Sequence, residues 1–350
     1  MKILFCMTVY TIFAERCKAL AHLLKDNGHE VSVVAGGIDD EARKDPAFTT
    51  VICLWPLFDH VYIDEFKPDI IIMWNGKFAN VHAAACVLKS KYFVVYMEMG
   101  WLPQKNFSYI STDLAQSTTI PDIPYVPGVA ENYVEVLKDL RSSYIPPVHI
   151  PGLPKSFVYV PLQVEVDTQI LYTSPVFKSM HSLLGFVRSI VPPDIPVVTT
   201  NHPCNKSDTK LPDFVLDFTG KGKSIDVAVK ANLIIGINST LLVECLMYYK
   251  PVIALGKSVA KDAFVTADTT EDLVALIEGE RPPGFRDRCD YRLLTVMQNQ
   301  FDHFNPPAWI VEQIENRDFT PRTLPQFPPK LRKALEIRKI QRFLKETSGL

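Results

Sequence analysis

The sequence predicts an α/β protein of two Rossmann-like domains facing a central cleft. Three observations predict it. Short apolar runs of strand length alternate with segments of helical periodicity along the chain. The first of these, Met1 to Ala35, reads as a βαβ unit, the opening of a parallel, doubly wound sheet. A proline-rich stretch, PDIPYVPG to PPVHIPGLP, then interrupts the alternation before it resumes at Phe157.

In order, Met1 to Met7 is the first strand. Phe13 to Asn27 is a helix, with Phe13, Cys17, Leu20, Leu23 and Leu24 at helical spacing and Gly28 as its left-handed stop. Glu30 to Ala35 is the second strand. Pro68 to Trp74 is a buried strand ending in Asn75-Gly76, Ala79 to Lys89 a helix, and Tyr92 to Met97 a strand ending in Glu98-Met99-Gly100. Between Ile120 and Pro154 a helix over Glu131 to Leu140 sits in the linker. The second series has strands at 157–162, 196–200, 233–237 and 251–255. Its helices lie near 177–190, from Thr240, and over Thr270 to Glu278. The domains are therefore read as 1–150 and 151–310. A tail, 311–350, contains a basic amphipathic helix over 331–344.

Composition narrows the function. The chain has 350 residues, 47% hydrophobic and 22% charged, enough for two packed cores. Its formal net charge of -2 argues against a nucleic-acid binder, so any anion site must come from local geometry. The seven cysteines include no CxxC pair; most sit in apolar runs and read as buried small hydrophobes, which fits a reduced, cytoplasmic protein. MKILFCMTVYTIF has no small-residue cleavage site and reads as a strand. The loop after the first strand lacks glycine, so the GxGxxG dinucleotide fingerprint is absent. No DxD-like pair or ligand-spaced His/Cys cluster suggests a metal.

The chemistry-bearing residues stand at strand ends, where α/β sheets bind ligands. Asn238-Ser239-Thr240 follows the run Leu233 to Ile237 and opens a helix whose free N–H groups suit an anion; ordinary N-capping is the plain alternative. Glu244 lies one turn further on and could accept from ribose hydroxyls, or be an ordinary acid. His202-Pro203 follows the run Pro196 to Thr200, where the histidine could donate a hydrogen bond to a phosphate or help a leaving group depart, or be a simple loop histidine. Gln163 and Asp167 follow Phe157 to Leu162; Asp167 reads as a nucleophile or a helix cap. Glu98 is a second carboxylate, for proton transfer or merely a surface acid. Asn75-Gly76 and Asp113 are candidate acceptor contacts, or a tight turn and a cap.

The succession PLQ…D, HP and NSTLLVE…KPVIALG resembles the capsule polysaccharide biosynthesis family, retaining β-Kdo transferases of bacterial surface glycans. WNG (Trp74 to Gly76) and EMGWLP (Glu98 to Pro103) resemble that family's N-domain motifs. Thr200 stands where the family often has a lysine, and Leu114-Ala115 where it has a glycine. The resemblance implies a GT-B fold and a CMP-Kdo donor, with no cofactor. It implies Asp167 as nucleophile, Glu98 as proton-transfer partner, and His202 and Ser239 holding the CMP phosphate. Gln163, Pro203, Asn238, Thr240 and Glu244 would complete the donor site. The acceptor would be a glycan or glycolipid, with peripheral membrane contact through 331–344. The alternatives are a sugar-nucleotide epimerase of GT-B-like fold and a non-catalytic glycan-binding subunit.

Overall fold

The structure, a computed structural model, describes residues 1–36, 45–53, 60–74, 79–102, 104, 106–112, 123–142, 149–165, 168–171, 174–203, 205 and 211–323. The first unit opens with β1 (Lys2–Met7), a helical stretch and β2 (Glu30–Gly36). The stretch consists of α1 (Tyr10–Ile12), a π-helical turn at Phe13–Cys17, and α2 (Lys18–Asp26). Gly28, at φ +85°, ends it as expected. Then come β3 (Thr49–Cys53), α3 (His60–Phe66), β4 (Ile70–Trp74), α4 (Ala79–Lys89), β5 (Val94–Met99) and β6 (Phe107–Ser111). Strands β3-β2-β1-β4-β5 lie side by side and parallel, with β6 antiparallel to β5. Alternate residues of β1 face opposite layers, as the two-residue pleat requires. Ile3, Phe5 and Met7 pack with Leu20 and Leu24 of α2, while Leu4 and Cys6 pack with Ile63 of α3 and Leu88 of α4.

The second unit contains α5 (Val134–Ser142), β7 (Val158–Pro161), α6 (Thr168–Leu171), α7 (Met180–Ile190), β8 (Val197–Thr200), β9 (Val215–Asp217), α8 (Ser224–Ala228), β10 (Leu233–Gly236), α9 (Thr240–Glu244), β11 (Val252–Ala254), α10 (Thr270–Glu278) and α11 (Phe285–Gln298). All five strands are parallel, in the order β11-β10-β7-β8-β9. VYVP and LIIG are buried at every position, the pattern of strands covered on both faces. Both units thus have the strand order 3-2-1-4-5 of a Rossmann-like sheet, as the sequence predicts.

The unit boundary differs from the one read at residue 150. The first unit is 1–119 with 299–321; the second takes in 120–165 and 169–298. Hydrogen bonds explain the first difference. Prolines leave the segment before α5 short of donors, and α11 supplies them. Tyr291 donates to the Pro124 carbonyl at 2.7 Å and Arg292 to the Ile123 carbonyl at 3.1 Å. Tyr125 donates to the Asp287 carboxylate, which also accepts from the Gly128 N–H at 2.9 Å. The supposed linker is therefore built into the second unit. After α11 the chain returns to the first. There β12 (Phe301–Asp302) pairs antiparallel with β6, and α12 (Ala308–Asn316) adds Ile310, Val311 and Ile314 to the core beside β1.

No described helix is long and apolar enough to cross a membrane. The basic helix predicted over 331–344 lies outside the described residues.

His303, just after β12, is 1% exposed. Its Nε2 accepts from the Arg16 guanidinium at 3.4 Å, and its Nδ1 faces the Ser108 hydroxyl at 3.3 Å. Burial, and then the nearby Arg16 charge, push its pKa down to about 4. The unfolded chain, with an ordinary value of 6.5, binds this proton first. The neutral histidine therefore supports the fold above about pH 6.5, and that support is lost as pH falls toward 4. Denaturant unfolding across this window should show a shallower loss of stability in His303→Gln than in the parent.

Candidate active site

In the second unit the chain runs from β7 to β8 on one side and returns to β10 on the other. The crevice at the carboxyl ends of β7 and β10 is the topological switch point, where open α/β sheets bind ligands. Gln163 lies two residues past β7, and Asn238 two residues past β10. They are 8% and 1% exposed. Gln163 Nε2 donates to Asn238 Oδ1 at 3.0 Å, and the Asn238 backbone N–H donates back to Gln163 Oε1 at 3.2 Å. The two amides form a closed, reciprocal pair inside the crevice.

The pair continues into the loop after β8. The Gln163 carbonyl accepts from Asn205 Nδ2 at 3.3 Å, and the same amide donates to Asn201 Oδ1 at 2.7 Å. Asn201 Oδ1 also accepts the His202 backbone N–H at 2.9 Å. The Asn201 N–H donates to Thr219 Oγ1 at 2.8 Å, and Thr219 donates to Asp217 of β9 at 2.5 Å. Polar side chains thus link the carboxyl ends of β10, β7, β8 and β9 in one line. His202 is half-buried within it, and Pro203 is exposed.

Ser239 caps α9: its Oγ accepts the Leu241 N–H at 3.3 Å. Capping and ligand binding are compatible here, because a capping serine uses its oxygen as an acceptor and can still donate its hydroxyl proton. Thr240 begins the helix, half-buried. Glu244 ends it. Burial pushes its carboxyl up to about 7; the Lys223 ammonium opposes the rise and Asp226 adds to it. Beneath His202 a hydroxyl chain runs from Tyr159 to Thr200 at 2.5 Å and on to Ser224 at 3.0 Å. Thr200 fills this role at the position where the resembled family often carries a lysine.

Glu98 belongs to the first unit. It lies within β5, opposite Tyr109 of β6, and is 3% exposed, so it is not a surface acid on a loop. Its Oε1 accepts the Met99 N–H at 3.0 Å. The turn that follows is fixed by Gln300, whose Oε1 accepts the N–H groups of Trp101 at 2.9 Å and Leu102 at 3.2 Å. A Cβ on Gly100 would stand 2.7 Å from Phe107 Cβ and 2.8 Å from Gln300 Oε1, so only glycine fits.

Of the predicted residues, Gln163 and Asn238 are bonded to each other and, through Asn205 and Asn201, to the loop that carries His202 and the exposed Pro203. Ser239 and Thr240 follow Asn238 at the start of α9, and Glu244 stands at that helix's other end. Asp167, Asn75, Gly76 and Asp113 lie outside the described residues. The sequence reading missed Asn201, Asn205, Thr219 and Gln300. For Asn201 and Asn205 the signal was available, since NHPCN is a polar run directly after a buried strand. Thr219 follows the edge strand β9, of which only Val215 is buried, and had none. For Gln300 there was none, since its partners lie 198 and 199 residues away.

No protein-family profile matches the chain. Protein FixF of Sinorhizobium fredii (strain NBRC 101917 / NGR234) is 27% identical over 214 residues, 58% of this chain and 52% of that protein. The chain thus spans about half the length of the curated relative it matches. Among solved structures, it is similar to Thermosulfurimonas dismutans KpsC, β-Kdo 2,7 transferase. The TM-score is 0.49 at 18% identity, over 70% of this chain and 89% of that one. The β-Kdo 2,4 transferase of the same KpsC gives 0.47 at 12% identity, over 82% and 88%. Methanocaldococcus jannaschii UDP-GlcNAc 2-epimerase gives 0.35 at 13% identity, over 84% and 99%.

Two stability measurements probe the site. Replacing either side chain deprives the other of the Gln163 Nε2–Asn238 Oδ1 bond, and removing one partner of a buried hydrogen bond costs about 1–3 kcal/mol. The double variant Gln163→Met with Asn238→Leu should therefore be more stable than the sum of the single losses, with a coupling of about 1–3 kcal/mol. Glu244 has the opposite sign. Its folded-state pKa of about 7 lies above the ordinary 4.5, so its ionisation opposes folding as pH rises through that interval. Glu244→Gln should raise the unfolding midpoint at pH 8 and leave it nearly unchanged at pH 4.

Proposed function

We propose that this chain is a glycosyltransferase that takes a CMP-activated keto-sugar acid, Kdo, as donor and transfers it with retention to a glycan or glycolipid. The Gln163–Asn238 pair at the switch point carries this reading. It holds two of the three strand-end motifs in fixed relation, and through Asn205 it joins the third, His202. The motif order PLQ, HP, NST supplies the sugar-nucleotide class.

The donor's anomeric carbon is quaternary and bears a carboxylate, so its departure from CMP is oxocarbenium-like. His202 and the hydroxyls of Ser239 and Thr240 would donate to the phosphate as it gains charge. Glu244, when ionised, would accept from the ribose hydroxyls. Asp167 would attack the anomeric carbon, forming a C–O bond to the sugar as the C–O bond to the phosphate breaks and CMP leaves. The acceptor hydroxyl would then give its proton to Glu98 and displace Asp167. Two inversions give net retention.

Calorimetry should show CMP binding and no comparable binding of UDP; a preference for UDP overturns the donor assignment. Asp167→Asn should bind CMP nearly as the parent does and lose at least about a hundredfold in turnover, the scale of a deleted catalytic group. Intact-mass analysis with CMP-Kdo alone should show a sugar adduct on the parent and none on Asp167→Asn. Interconversion of UDP-sugars without an acceptor would make the protein an epimerase instead.

A further inference from the structure

The histidine loop is clamped by a residue that no motif named. The Asn205 N–H donates to the His202 carbonyl at 2.9 Å, which closes the histidine loop once. The Asn205 side chain closes it a second time. Its Nδ2 reaches back to Asn201 Oδ1 at 2.7 Å, the same oxygen that accepts the His202 N–H at 2.9 Å, and sideways to the Gln163 carbonyl at 3.3 Å. One amide group therefore ties the strand-end residue before His202, the loop that contains it, and the backbone of the switch-point glutamine. We propose that Asn205 is a positioning residue: it sets where the His202 imidazole stands relative to the Gln163–Asn238 pair, and so presents His202 to the nucleotide phosphate. The nucleotide part of this inference rests on the function proposed above.

The two asparagines of the clamp play different parts. Asn201 serves it through its carbonyl oxygen, as an acceptor. Asn205 serves it through its amide hydrogens, as a donor. Aspartate has the shape of asparagine but only acceptor oxygens when ionised. Asn201→Asp thus keeps both hydrogen bonds. Asn205→Asp loses both and sets a carboxylate oxygen against two acceptor oxygens. Each variant adds the same charge to the same short loop, so the difference between them isolates the lost donors.

The experiment compares parent, Asn201→Asp and Asn205→Asp by amide hydrogen exchange at His202, CMP calorimetry and unfolding midpoint. In Asn205→Asp the His202 amide should exchange about tenfold faster and CMP affinity fall about tenfold, the scale of one lost charge-free hydrogen bond or two. Asn201→Asp, which keeps both bonds, should show His202 exchange within about twofold of the parent, a CMP affinity lowered only by its added charge, and an unfolding midpoint above that of Asn205→Asp. Equal exchange at His202 in the two variants overturns the clamp. Faster exchange with unchanged CMP affinity overturns the positioning role. If the parent binds no CMP, the proposed donor falls, while the exchange comparison, which needs no ligand, still decides what Asn205 does to His202.

Discussion

Where two parallel strands part at a switch point, the sheet stops supplying hydrogen-bond partners and the chain must find others. In the second unit this occurs between β7 and β10, and the reciprocal amide pair of Gln163 and Asn238 is the answer. A buried, unpartnered amide costs about 1–3 kcal/mol, so the pair is as much a requirement of the fold as a feature of the site. Its position is enforced from the other side as well. Past the end of β11 the ladder continues, with the Leu255 N–H on the Gly236 carbonyl at 2.8 Å and the Gly256 N–H on the Ile237 carbonyl at 3.0 Å. A Cβ on Gly256 would lie 2.7 Å from Ile237 Cγ2, and one on Gly236 would lie 3.0 Å from Leu242. These glycines allow β10, β11 and α9 to approach closely enough to fix Asn238 and the start of α9.

What the sequence revealed follows from which forces are local. Fully buried parallel strands announce themselves as continuous apolar runs, so β1, β4, β7 and β10 were legible within a residue or two. Most edge and antiparallel strands were not, although the edge strand β11 was read at 251–255. β3 begins Thr-Thr, β9 alternates into solvent, and β12 has two residues; each is a strand only because a neighbour pairs with it. The longest described helix, α11, was missed for a related reason. The second half of FRDRCDYRLLTVMQ, 291–298, is buried at every position, Arg292 included, which is paired with Asp262 at 2.5 Å and bonded to the Ile123 carbonyl. Periodicity fails where a charged residue is buried by partners 30 and 169 positions away.

The site divides the same way. Gln163, His202 and Asn238 were legible because strand ends are where chemistry is placed, and a strand end can be read from its apolar run. Their mutual bonding was not legible, since it spans up to 75 residues. Capping and binding, set against one another at Ser239 from sequence alone, use different capacities of one hydroxyl and need not exclude each other. Glu98 shows a different limit. No local pattern marks this acid, placed just past a predicted strand, as lying inside the strand at 3% exposure.

The chemistry of the network bears on the ligand it suits. A loop beside an anion site could be organised by carboxylates, which accept hydrogen bonds strongly. Each would also repel an anionic ligand, more so where water is excluded. From Asn238 through Gln163, Asn205 and Asn201, the links are neutral amides; among the described residues of this network the carboxylate is Asp217, at its far end on β9, behind Thr219. Amide-to-amide bonding fixes side chains without adding charge. In a protein whose formal net charge is -2, a crevice built this way adds no negative charge of its own beside the site proposed for the anionic donor. The nearby acid that breaks the pattern, Glu244, has its charge opposed by burial, which leaves it protonated through much of the range where an ordinary carboxylate would be ionised.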